Sequence, residues 1–200
     1  MIAIVDYGAG NLASVVKGLR AAGASPRIAQ APSDLDGASA VVIPGVGHFG
    51  ATQSLGSEWR SALHRSITRG VPLLGICLGM QFLFEGSDEA PGAPGLGIFQ
   101  GRLFRLSGEV KVPHVGWNTL DALGASPLLD QIEAGDAVYF THSYAAPDGA
   151  GTIATTRHGV RFASIVERGT VAGMQFHPEK SGAAGLTLLR NWVRQCSASA

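Results

Sequence analysis

The chain has no excess of charge of either sign, because 15 Lys and Arg residues balance 15 Asp and Glu residues in a length of 200. Nucleic-acid and anionic-membrane binders carry a basic excess, so this balance argues against both classes of protein. Charged residues make up only 15% of the chain and hydrophobic residues 46%, a composition too apolar for a disordered protein. We therefore expect a globular protein that acts on a small molecule or binds a protein partner.

Cysteine and long apolar runs are also scarce. Cys77 and Cys196 lie far apart and form no C-x-x-C motif, which argues against a disulfide framework or a zinc cluster and indicates a reducing, cytoplasmic compartment. The most apolar later run, residues 71–80, is about half the length that spans a bilayer, and the first residues lack the charged region of a signal peptide. We expect a soluble protein with no metal and no cofactor.

Short β-branched runs alternate with helical periodicity over residues 1–80, which predicts β-α-β units around a largely parallel sheet. After residue 86 the gaps between strand-like runs are too short for crossover helices, so antiparallel strands are expected beside the parallel core. We predict one α/β domain over residues 1–200, with an open, mostly parallel sheet flanked by helices. The predicted strands are 2–5, 27–29, 40–43, 71–76, 98–106, 112–117, 137–141, 151–156, 161–166 and 171–175. The other predicted elements are a helix between an N-cap at Asn11 and a stop at Gly23, a helix at 59–69, a C-terminal helix that contains residues 186–193, a loop at 91–97 and a frayed tail at 197–200.

A cysteine flanked by glycines follows the predicted strand 71–76, in the segment Gly75-Ile76-Cys77-Leu78-Gly79. This is the spacing of a nucleophile elbow, in which a tight strand-to-helix turn strains the central residue and leaves no room for flanking side chains. Such a turn projects the sulfur at the carboxyl edge of the sheet, where open α/β proteins bind ligands, and at a helix N-terminus, which lowers a cysteine pKa. It also leaves the Leu78 amide free to stabilise an oxyanion. The competing interpretation is that Cys77 is an inert core thiol.

A base for this cysteine is predicted at the end of the last strand. Pro178 favours extended backbone at His177, and residues two apart on an extended segment share a face, so His177 and Glu179 can point the same way. A carboxylate beside the imidazole fixes its tautomer and stabilises the imidazolium, which would complete a Cys-His-Glu triad. The alternatives are a capped surface turn and a metal-ligand pair, and no third ligand stands at a usual zinc spacing.

Two groups of motifs resemble known families. Gly75-Ile76-Cys77-Leu78-Gly79-Met80-Gln81 and Phe176-His177-Pro178-Glu179 together resemble the triad-type, class I glutamine amidotransferases, a family with a flavodoxin-like fold. Five further segments resemble the glutaminase subunits of imidazole glycerol phosphate synthase, and the likeness covers nearly the whole chain. These segments are Tyr7-Gly8-Ala9-Gly10-Asn11, Pro44-Gly45-Val46-Gly47-His48-Phe49, Lys111-Val112-Pro113-His114-Val115-Gly116-Trp117-Asn118, Tyr139-Phe140-Thr141-His142-Ser143-Tyr144 and Lys180-Ser181.

The resemblance implies roles for individual residues. Cys77 would attack the glutamine side-chain amide, His177 would protonate the departing ammonia, and water would then hydrolyse the glutamyl thioester, while Glu179 orients the base. The backbone amides of Leu78 and Val46 would stabilise the oxyanion. By the same resemblance, the residues that hold glutamine would be Gly47, Gln81, His142, Ser143 and Tyr144.

The resemblance also implies a partner. A cyclase subunit with a (β/α)₈ barrel takes about 250 residues, more than this chain has, so it would bind as the second subunit of a heterodimer. It would use the ammonia to form imidazole glycerol phosphate and aminoimidazole carboxamide ribonucleotide. Asn11, Trp117 and Lys180 are the interface candidates, since each follows a motif near the carboxyl edge of the sheet. We further hypothesise that the partner's ligand reshapes the loop 44–47 so that the Val46 amide turns toward the oxyanion.

Two other functions remain open at this point. The chain could be the glutaminase subunit of a different triad amidotransferase, such as pyridoxal phosphate synthase or anthranilate synthase, because the triad motifs are shared among these enzymes. It could also be a non-catalytic regulatory module that keeps the fold, although the intact Cys77, His177 and Glu179 argue against that.

Overall fold

A computed structural model describes residues 1–198 of the chain. The helices are α1 (Leu12–Ala21), α2 (Ser57–Thr68), α3 (Leu78–Phe82) and α4 (Gly182–Ala198), and short 3₁₀ turns cover Pro32–Leu35, Phe49–Ser54, Pro127–Leu129 and Pro178–Lys180. The strands are β1 (Ile2–Val5), β2 (Pro26–Ala29), β3 (Ala40–Ile43), β4 (Leu73–Ile76), β5 (Gly86–Ser87), β6 (Ala90–Pro94), β7 (Arg102–Arg105), β8 (His114–Thr119), β9 (Ala122–Leu123), β10 (Ala137–His142), β11 (Tyr144–Ala145), β12 (Thr152–His158), β13 (Val160–Arg168) and β14 (Val171–Met174).

The main sheet has eight strands in the order β2-β1-β3-β4-β14-β13-β12-β9. The first five are parallel, and β13, β12 and β9 continue the sheet in antiparallel pairs. The order of the parallel strands is that of a doubly wound, flavodoxin-like fold, in which ligands bind at the carboxyl edge where the order reverses. The expected α/β class, with antiparallel strands beside a parallel core, is therefore confirmed.

Apolar side chains cover both faces of this sheet. One cluster joins Ile4 and Ile76 to α1 and α4, and the other joins Val41 and Leu73 to Leu63 of α2. The alternation of strand and helix in the sequence thus arises because each helix covers one face of a sheet that is buried on both sides. Among residues 1–198, no helix is both long enough and apolar enough to cross a membrane.

The first helix begins and ends where the sequence indicates. The Asn11 side chain accepts a hydrogen bond from the Ser14 amide at 3.1 Å, which satisfies one of the free N–H groups at the start of α1. Val15 and Leu19 from the predicted apolar stripe are buried against the sheet. Gly23 follows the helix with a φ of 91°, a value that strains other residues.

The Gly- and Pro-rich segment 91–97 forms the predicted loop only in residues 95–97, which have no regular secondary structure. Residues 90–94 form β6, which pairs with β5 at the edge of a small sheet ordered β11-β7-β5-β6. Proline is compatible with an edge strand because one side of that strand needs no ladder hydrogen bonds, so the composition alone is misleading here. The predicted strand 98–106 is also shorter than expected and comprises only Arg102–Arg105.

The C-terminal helix α4 contains the predicted residues 186–193 and also part of the predicted frayed tail. Ser197 lies within α4, so its expected fraying is wrong, and residues 199–200 of the predicted frayed tail lie outside the described part of the chain. Cys196 is buried at 6% exposure, and burial raises the pKa of its thiol to about 12. This cysteine is a core thiol, held in its protonated form.

Candidate active site

The turn between β4 and α3 places Cys77 in a backbone conformation that is rare for any residue except glycine. Its φ is 53° and its ψ is −108°, which identifies the strained apex of the turn. A Cβ atom added to Gly75 would lie 2.6 Å from the Gly79 carbonyl oxygen, and one added to Gly79 would lie 1.7 Å from the Ile43 carbonyl oxygen. Both glycines are therefore required by close backbone packing, as the elbow spacing predicts.

The register of β14 on β4 sets the surroundings of the sulfur. Met174 pairs with Ile76, and the Cys77 amide donates to the Met174 carbonyl at 2.7 Å, so the residues that follow each strand lie side by side. The Gln175 side-chain amide donates to the sulfur at 3.8 Å, and the thiol donates to the Thr141 carbonyl at 3.8 Å. Gln175 is not among the predicted site residues, although its position directly after the last strand, beside the strand of Cys77, is the signal that could have identified it.

His177 and Glu179 form a buried pair. Their Nδ1 and Oε1 atoms are 2.9 Å apart, and the two side chains are 3% and 2% exposed. Burial lowers the pKa of His177, but its interactions with Cys77 and with Glu179 outweigh burial and raise that pKa to about 9. The Nε2 atom of His177 has no hydrogen-bond partner within residues 1–198, so it is available to exchange a proton. The structure thus brings together all three side chains of the predicted triad.

The backbone of His177 is fixed by hydrogen bonds to Tyr139 of β10 and to Ser181. The His177 amide donates to the Tyr139 carbonyl at 2.9 Å, and the Ser181 hydroxyl donates to the His177 carbonyl at 2.6 Å. Ser181 in turn accepts a hydrogen bond from the Tyr139 amide at 2.9 Å. This arrangement holds the imidazole in place without using its ring nitrogens. In the part of the chain that the structure describes, no three His, Cys, Asp or Glu side chains are arranged so that they could hold a metal ion, and the alternative of a metal-ligand pair gains no support.

The expected oxyanion donors are not both available in this conformation. The Leu78 amide, predicted to be free, donates instead to the Gly45 carbonyl oxygen at 3.3 Å. The loop after β3 therefore directs a carbonyl toward the position where an oxyanion would need a donor. The Val46 side chain is 40% exposed on this loop. Sequence spacing could not predict this, because it depends on which way a single peptide group of the loop is turned.

The residues predicted to hold glutamine differ in how accessible they are. Gly47 is exposed, and Ser143 and Tyr144 are half-buried where β10 ends and β11 begins. Gln81 is 4% exposed, and its side-chain amide donates to the Tyr144 carbonyl at 2.8 Å and to Gln175 Oε1 at 3.1 Å. Gln81 therefore positions the edge of the site in this conformation.

The side chain of His142 is buried and hydrogen-bonded within the chain, and its contact to glutamine stays a prediction. It is only 7% exposed, its Nδ1 lies 2.9 Å from the Tyr144 carbonyl, and its Nε2 lies 3.1 Å from Nδ1 of His114. Because the carbonyl can only accept, Nδ1 of His142 carries the proton and Nε2 accepts from His114. Nε2 of His114 in turn lies 3.2 Å from the Asn118 amide. The two imidazoles are hydrogen-bonded to each other in their neutral forms, and His142 positions the Tyr144 carbonyl at the edge of the site.

This histidine pair should make the fold less stable in acid. Burial lowers the pKa of His142 to about 3 and that of His114 to about 4, with His158 adding to the effect at His114. The unfolded chain binds these two protons near pH 6.5 and the folded chain does not, so their stabilising contribution is complete above about pH 6.5 and is lost as the pH falls toward 4.

The expected loss of unfolding free energy from pH 7 to pH 5 is on the order of 2 kcal/mol for each histidine, measured by urea unfolding. His177 acts in the opposite direction, since its raised pKa stabilises the fold below about pH 6.5 and that contribution declines as the pH rises through about 9. The variant His114→Asn should flatten the acid slope relative to the wild type, because it removes one of the two groups whose pKa the fold lowers. An unaltered slope in His114→Asn would contradict the assignment.

The three interface candidates are all accessible to solvent. Asn11 and Lys180 are exposed, and Trp117 is exposed at 58%, so this tryptophan lies outside the core. Trp117 lies on β8, its ring packs edge-on against Tyr139 of β10 at 6.0 Å, and Val115 on the same strand is 56% exposed. The two-stranded ribbon β8–β10 thus presents apolar surface to solvent beside the site.

Comparison with known proteins adds independent information. A family model described as glutamine amidotransferase class-I matches residues 3–196. Relatives named imidazole glycerol phosphate synthase subunit HisH include one from Halobacterium salinarum, 47% identical over 98% of this chain and 94% of the relative. Another, from Thermococcus kodakarensis, is 46% identical over 97% of this chain and 100% of the relative.

Solved structures share the fold at much lower identity. A structure described as a glutamine amidotransferase has a TM-score of 0.77 at 18% identity and covers 98% of this chain and 100% of its own. PurLQS from Thermotoga maritima has a TM-score of 0.75 at 19% identity, with 97% of both chains covered. At these identities the likeness concerns the architecture alone.

Proposed function

Since this chain belongs to the class-I glutamine amidotransferase family, we propose that Cys77, His177 and Glu179 form its glutaminase centre. The chain is a glutamine amidotransferase subunit of imidazole glycerol phosphate synthase, an enzyme of histidine biosynthesis. We further propose that residues 1–200 form one amidotransferase domain. The single observation that carries it is the buried His177–Glu179 pair, at 2.9 Å, whose imidazole interacts with the sulfur at the strained apex of the turn.

The first half of the reaction forms a thioester. The Cys77 sulfur attacks the side-chain carbonyl carbon of glutamine once its proton lies on Nε2 of His177, the charged form that the raised pKa of His177 favours. The imidazolium then donates that proton to the amide nitrogen, the carbon–nitrogen bond breaks, and ammonia leaves. Glu179 accepts the Nδ1 hydrogen bond throughout and stabilises the positive charge on the ring, which is the electrostatic effect that raises the pKa of His177.

The second half of the reaction releases glutamate. His177, neutral after ammonia departs, removes a proton from water, and the resulting hydroxide attacks the thioester carbonyl. The sulfur leaves as the carbon–sulfur bond breaks, and the proton returns to it. Both halves pass through an oxyanion that we assign to the amides of Leu78 and Val46, so the Gly45 carbonyl must first leave the Leu78 amide. This requirement supports the hypothesis that the loop 44–47 changes conformation before catalysis.

We assign the ammonia acceptor to a separate cyclase subunit with a (β/α)₈ barrel, because the relatives are named as one subunit of a synthase. Replacement of the sulfur tests the whole proposal, since glutamate release by the pair should stop while use of free ammonia continues. The other glutaminases, of pyridoxal phosphate or anthranilate synthase, and a non-catalytic module receive less support, because the curated relatives share the HisH name and the chain keeps its nucleophile.

Trp117→Ala should weaken binding of the cyclase subunit by roughly 30-fold or more, because an exposed tryptophan that becomes buried in an interface is a frequent energetic anchor. The measurement is the dissociation constant of the pair by titration calorimetry. Stability of the free chain should change little, because the side chain is exposed. Ile28→Ala, on the opposite edge strand β2 and 46% exposed, is the matched control and should bind as the wild type does. Equal affinity of Trp117→Ala and wild type would remove the ribbon from the proposed interface.

A further inference from the structure

One buried polar atom near the site has no role in the reaction described above. Tyr7 follows β1, its side chain is only 8% exposed, and its hydroxyl has no hydrogen-bond partner within residues 1–198. Buried polar groups are almost always paired, and an unpaired hydroxyl carries a substantial desolvation cost. The exception therefore needs a physical explanation.

The hydroxyl lies against the loop that blocks the oxyanion site. A Cβ atom added to Gly45 would lie 2.2 Å from the Tyr7 oxygen and 2.8 Å from Leu78 Cβ, so the hydroxyl occupies the side of Gly45 where a side chain would stand. Burial and the nearby Cys77 raise the pKa of Tyr7, so the phenol keeps its proton and is a hydrogen-bond donor. The Tyr7 hydroxyl is thus a donor without an acceptor, and it lies beside Gly45, whose carbonyl accepts the hydrogen bond of the Leu78 amide.

The Gly45 carbonyl needs a new partner when it leaves Leu78. Gly45 is buried, and a buried backbone carbonyl without a hydrogen-bond donor is unfavourable. The turned loop is therefore stable only if another donor replaces the Leu78 amide at the Gly45 carbonyl. Rotation about the Cα–C bond of Gly45 sweeps its oxygen past the side on which a Cβ would lie, which is the side of the Tyr7 hydroxyl. The Tyr7 hydroxyl lacks an acceptor and the released Gly45 carbonyl lacks a donor, so each supplies the hydrogen-bond partner that the other needs.

We propose that Tyr7 is a positioning residue whose hydroxyl donates to the Gly45 carbonyl when the loop turns and frees the Leu78 amide. The inference rests on the proposed glutaminase function, because it concerns the conformation in which Leu78 and Val46 stabilise the oxyanion. In the resting conformation the hydroxyl is unpaired and destabilising, and in the turned conformation it is paired. Tyr7 thus favours the conformation that catalyses the reaction.

The test is Tyr7→Phe, which removes one oxygen atom and keeps the ring. The variant and the wild type are paired with the barrel cyclase subunit, and glutamate release is measured with and without that subunit's nucleotide substrate. We expect the kcat with the nucleotide to fall roughly tenfold, as for loss of one buried hydrogen bond that forms only in the active state, with KM for glutamine changed less than about twofold. The urea midpoint of the free variant should equal or exceed that of the wild type, because the hydroxyl has no partner in the resting fold.

Thr155→Val is the matched control, since Thr155 on β12 also carries a buried hydroxyl without a partner in the described chain. Its kcat should equal that of the wild type, and its midpoint should not fall. A wild-type kcat in Tyr7→Phe would overturn the inference, as would a fall in kcat accompanied by a lower urea midpoint, which indicates an ordinary structural role. If the wild-type pair itself releases no glutamate, the proposed function fails and this inference fails with it.

Discussion

Cys77→Ala should lower the glutamine-dependent turnover of the reconstituted pair by on the order of 10⁴-fold or more, the scale expected when a covalent nucleophile is removed. The sulfur forms the bond to the substrate carbonyl, and neither Gln175 nor Thr141 beside it offers a replacement nucleophile of comparable strength. Turnover supplied with free ammonia should continue, because the acceptor reaction takes place in the cyclase subunit. The measurement is product formation with glutamine or ammonium salt as the nitrogen source.

Cys196→Ala provides the matched control for this experiment. It also removes a buried thiol, but one in α4 on the core side of the molecule, so the folded fraction should retain glutamine-dependent turnover. Loss of both the glutamine and the ammonia reactions in Cys77→Ala would mean that Cys77 is required for folding or assembly. Continued glutamate release would show that the nucleophile lies elsewhere.

Gly79→Ala should destabilise the fold by more than about 4 kcal/mol, a range reached only by severe steric or polar defects. The added methyl group would lie 1.7 Å from the carbonyl oxygen of Ile43 and 2.7 Å from its carbonyl carbon. Both atoms belong to the backbone of the buried strand β3, so no flexible side chain can move aside. The measurement is the urea midpoint of the purified chain or, if the variant does not accumulate, its soluble yield.

Gly92→Ala is the control for that substitution. Gly92 lies on the edge strand β6, and an added Cβ atom would have no neighbour within 4 Å, so the midpoint should stay close to that of the wild type. A wild-type midpoint in Gly79→Ala would show that α3 shifts away from β3 at little cost. The elbow would then be less tightly packed than its backbone contacts indicate.

The parts of the site that depend on local spacing were predictable from the sequence. Gly75 and Gly79 flank Cys77 because the turn has no room for their side chains, and His177 and Glu179 share a face because they lie two apart. These relations depend on a few adjacent residues and on strand geometry, which a single sequence expresses directly.

The parts that depend on contacts between distant segments were not predictable in this way. The pairing of His142 with His114 comes from the antiparallel register of β8 on β10, and the engagement of the Leu78 amide comes from one peptide orientation in the loop after β3. Neither the register nor the peptide orientation leaves a periodic signal in the residues concerned. Gln175 is an intermediate case, since its position beside Cys77 follows once β4 and β14 are known to be adjacent parallel strands.

The packing of the elbow has a practical consequence for inhibition. Because the turn around Cys77 is clamped by backbone against β3, the sulfur has little room to move, and the exposed loop at Val46 is the adjustable part of the site. A compound that binds beneath this loop and keeps the Gly45 carbonyl hydrogen-bonded to the Leu78 amide would inhibit the enzyme without reacting with the thiol. Such selectivity is difficult to obtain with electrophiles, which attack accessible thiolates in unrelated proteins as well.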